Sequence, residues 1–164
     1  MNKTEKSLIS IDPRWEIFEN TTTIGEFEIH YLSIGSLDQD LGNAVKDYER
    51  LIRQLLRLSY FEYELITVAL KHNFVMAELA LKLLYKKKYA KESRKNLFGL
   101  IAHFHDSSLI DQQDFIFWES VRLIRNEFTH PYTYPILPPS SINMIRQTIT
   151  GINKLNVKIN FKAG

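Results

Sequence analysis

The stretch "FEYELITVALKHNFVMAELALKLLYKKK", residues 61–88, constrains this chain most. Its apolar residues recur at helical intervals over a length that no ordinary strand reaches. A helix this long and this apolar needs other helices to cover it. The spacing predicts a break near His72–Asn73 and an end in the basic run "KKKYAKESRK", which holds six cations against Glu92 alone. Before it, Leu41, Val45, Tyr48, Ile52, Leu55 and Leu56 also recur with helical period. Ser36 with Gln39, and Ser59 with Glu62, have the spacing of capping boxes. After it come a shorter helix around Lys95–Phe104, a turn through "HDSSLID", and a helix over Gln112–Phe128 capped by Asp111.

Four of the five prolines then fall in "HPYTYPILPP", which reads as a rigid, extended connector. Ser140 or Ser141 is placed to cap a last helix of about three turns, with Gly151 as the residue that ends it. The two chain ends read differently. In "GEFEIHYLS", Phe27, Ile29 and Tyr31 alternate with Glu26, Glu28 and His30. Leu155, Val157, Ile159 and Phe161 alternate with Asn156, Lys158 and Asn160. Both runs have the period of a half-buried strand, and pairing them would bring the termini together. The expected fold is mainly α, an antiparallel helical bundle over residues 36–154. An N-terminal extension, 1–35, and a C-terminal strand or tail, 155–164, supply a small β element.

The chain has 164 residues, enough for one domain with its own core. It has no cysteine, which excludes disulfides, thiolate metal sites and cysteine nucleophiles. A formal net charge of +2 permits a nucleic-acid partner without requiring one, so any basic footprint must be local. There is no signal-peptide pattern at the N-terminus and no apolar run of membrane-spanning length, so a cytoplasmic chain with no membrane partner is expected. Its six glycines are scattered singly, so no phosphate-cradling loop is present.

The chemistry concentrates in "VRLIRNEFTHPY", residues 121–132. On a helical wheel Phe117, Val121, Ile124 and Phe128 form an apolar face. Trp118, Arg122, Arg125 and Thr129 form the strip beside it. Two arginines bordering a core are costly to bury unless an anion meets them. Asn126 and His130 are four apart and stack on a third strip. His130 precedes a proline, where the helix must end, and the negative end of the helix dipole favours its protonated form. A fixed cation, an amide and a titratable proton donor suit the breaking of a phosphodiester whose nucleophile is the 2′-hydroxyl of RNA. The same residues also read as ordinary punctuation, since Arg, Asn and His are common in last turns and Pro commonly follows.

"RNEFTHPY" resembles the signature of the HEPN superfamily, an arginine followed by asparagine and then by histidine five positions after the arginine. Here these are Arg125, Asn126 and His130. Tyr132 matches the extended form found in HEPN toxins paired with small nucleotidyltransferases. "MAELALKLLY" has the Glu-x3-Lys pattern common in these domains, at Glu78 and Lys82. The resemblance covers roughly residues 60–150. It implies a metal-independent endoribonuclease, a toxin or defence component, with no cofactor. Arg125 would hold the scissile phosphate, His130 would act as general acid or base, and Asn126 would orient the phosphate or the ring. The products would be a 2′,3′-cyclic phosphate and a 5′-hydroxyl. Arg125 and His130 point about 140° apart on an ideal helix, and the homodimer usual in the family would bring two motifs to one cleft. Tyr132 would be a hydrogen bonder or the target of a partner nucleotidyltransferase, and an antitoxin is the other partner the resemblance suggests. Some HEPN domains only bind nucleotides or proteins, and that is the alternative function.

Other groups offer weaker chemistry. Lys86, Lys87 and Lys88, with Lys91, Arg94 and Lys95, would serve as RNA-backbone contacts with Tyr85 and Tyr89 stacking, or simply end a helix. Arg122 is a further candidate for phosphate. His103, His105 and Asp106 lack the spacing of a metal site, so no metal is assigned. Glu78 and Lys82 read most simply as an i, i+4 pair; the alternative is that Glu78 instead reaches Arg122 or Arg125 across the bundle.

Overall fold

The computed structural model describes residues 10–19, 21–128 and 138–161. After a short 3₁₀ turn, Pro13–Ile17, the described residues form six α-helices: α1 (Ile24–Tyr31), α2 (Asn43–Leu58), α3 (Leu65–Tyr89), α4 (Leu97–Asp106), α5 (Gln112–Glu127) and α6 (Pro138–Phe161). The helix α3 is the axis of the bundle and packs against α2, α4, α5 and α6. At about 1.5 Å per residue it runs roughly 38 Å. Its buried residues, among them Leu70, Phe74, Met76, Ala77, Leu81 and Leu84, lie on several sides, as a central helix requires.

The expected break at His72–Asn73 does not occur, and α3 is continuous. Asn73 is fully buried, and its amide donates to Thr148 Oγ1 of α6 at 3.1 Å. The polar residue that reads as a break is an interhelical contact. His72 packs its ring on Tyr48 of α2 at 5.9 Å.

The small β element is absent among the described residues, and both alternating runs are helical. Residues 24–31 begin with a full capping box: Thr23 accepts from the Glu26 N–H, and Glu26 accepts from the Thr23 N–H. Phe27 is buried whereas Ile29 is 71% exposed, so the two do not share a face. At the other end α6 continues through Gly151 to Phe161. It buries Ile152, Leu155, Asn156 and Ile159, a spacing of three and four, and leaves Val157 and Phe161 in solvent. Seven residues satisfy both periods, and packing against α3 selects the helical one.

Gly151 therefore does not end the helix. A side chain there would bring a Cβ to 3.0 Å from Trp118 Cζ2 of α5, so glycine leaves room for the Trp118 ring against the backbone of α6. Ser140 and Ser141 lie inside α6 rather than before it. The capping spacings at Ser36 and Ser59 also mark no helix start: α2 begins after Gly42 and α3 after Glu64. Asp111 does cap α5, accepting from the Asp114 N–H at 2.8 Å.

Trp15, Phe27 and Tyr31, in the described part of the N-terminal segment, pack on the α2–α3 turn. Trp15 is fully buried, and its indole N–H donates to the Ser59 carbonyl at 2.6 Å. Phe27, Tyr31 and Tyr63 surround its ring. The segment 33–42 crosses α6, where Asn153 bonds Ser36 and Asp38, and Asn156 bonds Asp38 and Asp40. No helix among the described residues is long and apolar enough to cross a membrane.

Candidate functional site

The helix α5 carries its two arginines on one flank, and they meet different anions. Arg122 folds back along its own helix to Glu119, with contacts of 2.9 and 3.1 Å, and lies over the Phe98 ring of α4. The Glu119 hydrogen bond raises the Arg122 pKa further above its already high value. Arg125, one turn on, leaves its helix: Nη2 donates to Glu78 Oε2 of α3 at 3.2 Å. Glu78 accepts at its other oxygen from Lys82 Nζ, at 2.7 Å. Arg125 Nη1 reaches the Asn126 side-chain oxygen at 3.5 Å, the outer limit of a hydrogen bond. The two arginines thus both find carboxylates, but only Arg125 reaches across the bundle.

Arg125 and Glu78 lie on the wall of a cavity of about 530 Å³ between α2, α3 and α5. Phe74, Val75, Leu79 and Phe128 give it an apolar floor, Tyr48 stands on the α2 side, and Lys71 and Lys82 complete the charged rim. Among the described residues, three cations face this space against one carboxylate. The side chain of Arg125 is 42% exposed and that of Lys82 39% exposed, so the rim is open to solvent. Lys71 makes no ion pair with any described residue. Among the described residues, none that lines the cavity comes from the N-terminal segment.

The remaining motif residues, His130 and Tyr132, lie outside the described residues, as does most of the proline-rich connector. Asn126 is exposed at the end of α5. The basic run does not converge on this cavity. Lys86 pairs with Glu92 at 2.6 Å, and Lys87 with Asp40 at 2.6 Å and Asn156 at 2.9 Å; Lys88 lies beside them at the end of α3. The Lys87 bond is the first cause holding the Asp40 carboxyl down at about 2.

The histidines weighed as ligands pack against aromatic rings. His103 stands 5.2 Å from Tyr85 and 5.0 Å from Tyr89, and His105 lies 4.5 Å from Phe115. Asp12, Glu62 and Glu64 bring carboxylate oxygens within 4.8 Å of one another. Arg14 fills that cluster, bonded to Asp12 at 2.7 Å and to Glu64, with Glu62 at 3.6 Å. A guanidinium already supplies the charge that a cation would bring there.

Sequence reasoning singled out Arg125 and offered both Arg122 and Arg125 as partners for Glu78; the structure pairs Glu78 with Arg125. It missed Lys71, Val75 and Tyr48 as members of one cavity. Lys71, Val75, Glu78 and Lys82 have spacings of four, three and four, which set them on one face of α3. That spacing was available as a signal. Tyr48 gave none, because it falls in the apolar repeat of α2. Searches of family models, curated proteins and solved structures found no match to this chain.

Proposed function

We propose that this chain is a HEPN-type endoribonuclease that cuts RNA without a metal ion. The observation that carries the reading is the placement of Arg125. The last turn of α5 presents it to an open cavity with excess positive charge, where the carboxylate of Glu78 accepts from one of its nitrogens. A phosphate is the natural competitor for such a group, because guanidinium donors match paired anionic oxygens. With RNA bound, Arg125 would take the non-bridging oxygens of the scissile phosphate, and Lys82 would add a second positive charge. The 2′-oxygen attacks phosphorus, the bond to the 5′-oxygen breaks, and that oxygen leaves as a hydroxyl. His130 is the motif residue suited to move the proton. Arg125 stabilises the charge that grows on the phosphoryl oxygens. Asn126 orients the phosphate or the imidazole. A homodimer supplies the second motif, and the cellular role is that of a toxin or defence component, held in check by an antitoxin or a nucleotidyltransferase.

The test is cleavage of total RNA and of a tRNA pool by purified protein in excess EDTA. Arg125→Ala should lower the rate about 10²–10³-fold. His130→Ala should lower it about 10²–10⁴-fold. Products should end in cyclic phosphate and 5′-hydroxyl. Cleavage indifferent to both substitutions refutes the reading. A second reading has its own support: the cavity joins aromatic and cationic groups in a volume that suits a nucleotide. Tight nucleotide binding with no cleavage would make the chain a non-catalytic HEPN module.

A further inference from the structure

The cavity extends well past Arg125. Lys71 and Lys82 stand eleven residues apart on α3, a rise of about 16 Å. Glu78 and Arg125 lie between them, nearer to Lys82. The cations therefore form a line along the helix rather than one cluster. Beside that line are side chains a helix would not normally leave in water. Val75 is 48% exposed on the same face, and Phe128 and Tyr48 are half-buried at its edges. Positive charge in a row, with apolar and aromatic surface alongside, is the arrangement that follows the backbone of a single strand and stacks its bases. At about 3.4 Å per stacked nucleotide, the line spans several nucleotides.

We propose that the α2–α3 face from Lys71 to Lys82 is a docking groove for single-stranded RNA that leads into the Arg125 site. In it Lys71 holds a backbone phosphate distant from the cut, Tyr48 stacks a base, and Phe128 and Val75 shield the base from water. Glu78 acts as a counter-anion: it occupies Arg125 and Lys82 in the empty groove and gives way to phosphate. The choice of RNA over other polyanions rests on the ribonuclease reading above. The groove itself rests on the geometry of α2 and α3.

The probe is a fluorescein-labelled 2′-O-methyl oligouridine of about eight nucleotides, which lacks the nucleophile and stays intact. Fluorescence anisotropy of the full chain gives Kd as a function of salt. Lys71→Ala should weaken binding several-fold and flatten the log Kd against log salt slope by about 0.7. Tyr48→Ala should weaken it about five-fold or more without changing that slope. Glu78→Gln should tighten binding, a result that misfolding cannot produce. Lys154→Ala is the control, since Lys154 pairs with Asp111 and Asp114 at the far end of α5. Binding unmoved by Lys71→Ala and Tyr48→Ala overturns the groove, and so does equal loss in Lys154→Ala. Uridine monophosphate competing as well as the oligonucleotide also overturns it, because the occupant is then a nucleotide rather than a strand. If cleavage depends on Arg125 and His130 while these Kd values stay flat, the enzyme reading stands and the groove falls. If the Kd values move as stated and no RNA is cut, the groove stands and the enzyme reading falls.

Discussion

Two arginine–carboxylate clusters in this molecule use the same groups in opposite proportion. Around Arg14 three carboxylates, Asp12, Glu62 and Glu64, surround one guanidinium. Around Glu78 three cations, Lys71, Lys82 and Arg125, line the cavity that holds one carboxylate. In the first cluster Asp12 is nearly buried, accepts from the backbone N–H groups of Arg14 and Tyr63, and takes two further bonds from the Arg14 side chain. Its donors and acceptors are matched, and it fastens the N-terminal segment to the start of α3. In the second cluster the single carboxylate meets Arg125 and Lys82, and Lys71 makes no ion pair with any described residue. In the first arrangement the buried carboxylate is fully bonded and the excess charge, on Glu62 and Glu64, is exposed to water, whereas the second gains by meeting an anion. Burial and the number of bonds the central group accepts, rather than the presence of an ion pair or the charge ratio, distinguish a fastening from a binding site.

That contrast is open to direct attack. The largest expected effect on stability is in the Arg14 cluster. Asp12→Ala removes the acceptor of those bonds and should destabilise the protein by about 1–3 kcal/mol in urea unfolding. Oligonucleotide affinity of the folded protein should not change. A loss of affinity would mean that the two regions are coupled, and the comparison would fail.

Glu78→Gln breaks the corresponding carboxylate in the cavity. Arg125 and Lys82 are both more than a third exposed, so the stability change should stay below about 1 kcal/mol. A larger loss would show that Glu78 is a structural fastening like Asp12.

The smallest effect is a pH dependence. The Arg14 hydrogen bond, foremost, holds the Asp12 carboxyl well below its usual range. A carboxyl lowered in the folded state stabilises fully above its unfolded value of about 3.9. That stability is lost as pH falls from there through the folded value. The urea midpoint of the parent protein should therefore drop as pH falls below about 4, and that of Asp12→Asn should drop less steeply. Parallel curves would show that Asp12 takes no part.

Much of this arrangement can be read from the chain. The helix Gln112–Glu127 follows from its Asp111 cap and its apolar spacing, and Arg125 falls in its last turn by counting. The Glu78–Lys82 pair follows from a separation of four. The limits of such reading show at the chain ends. "GEFEIHYLS" and "LNVKINF" are too short for one period to exclude the other, and the helical outcome depends on a capping box in one case and on α3 in the other. Asn73 looked like a break because sequence does not reveal the Thr148 hydroxyl that its amide reaches.

Sequence by itself determined that a long apolar helix must be wrapped by others, that α5 ends in "RNEF", and which residues there carry charge. These are local matters of spacing, capping and side-chain type, each decided within a few turns of chain. Only the tertiary structure decided that Arg122 turns to Glu119 while Arg125 turns to Glu78, and that Lys71, Lys82 and Tyr48 share a cavity with it. Those outcomes depend on which faces of α2, α3 and α5 oppose one another. Burial of apolar surface over the whole bundle selects that arrangement, and no single segment encodes it.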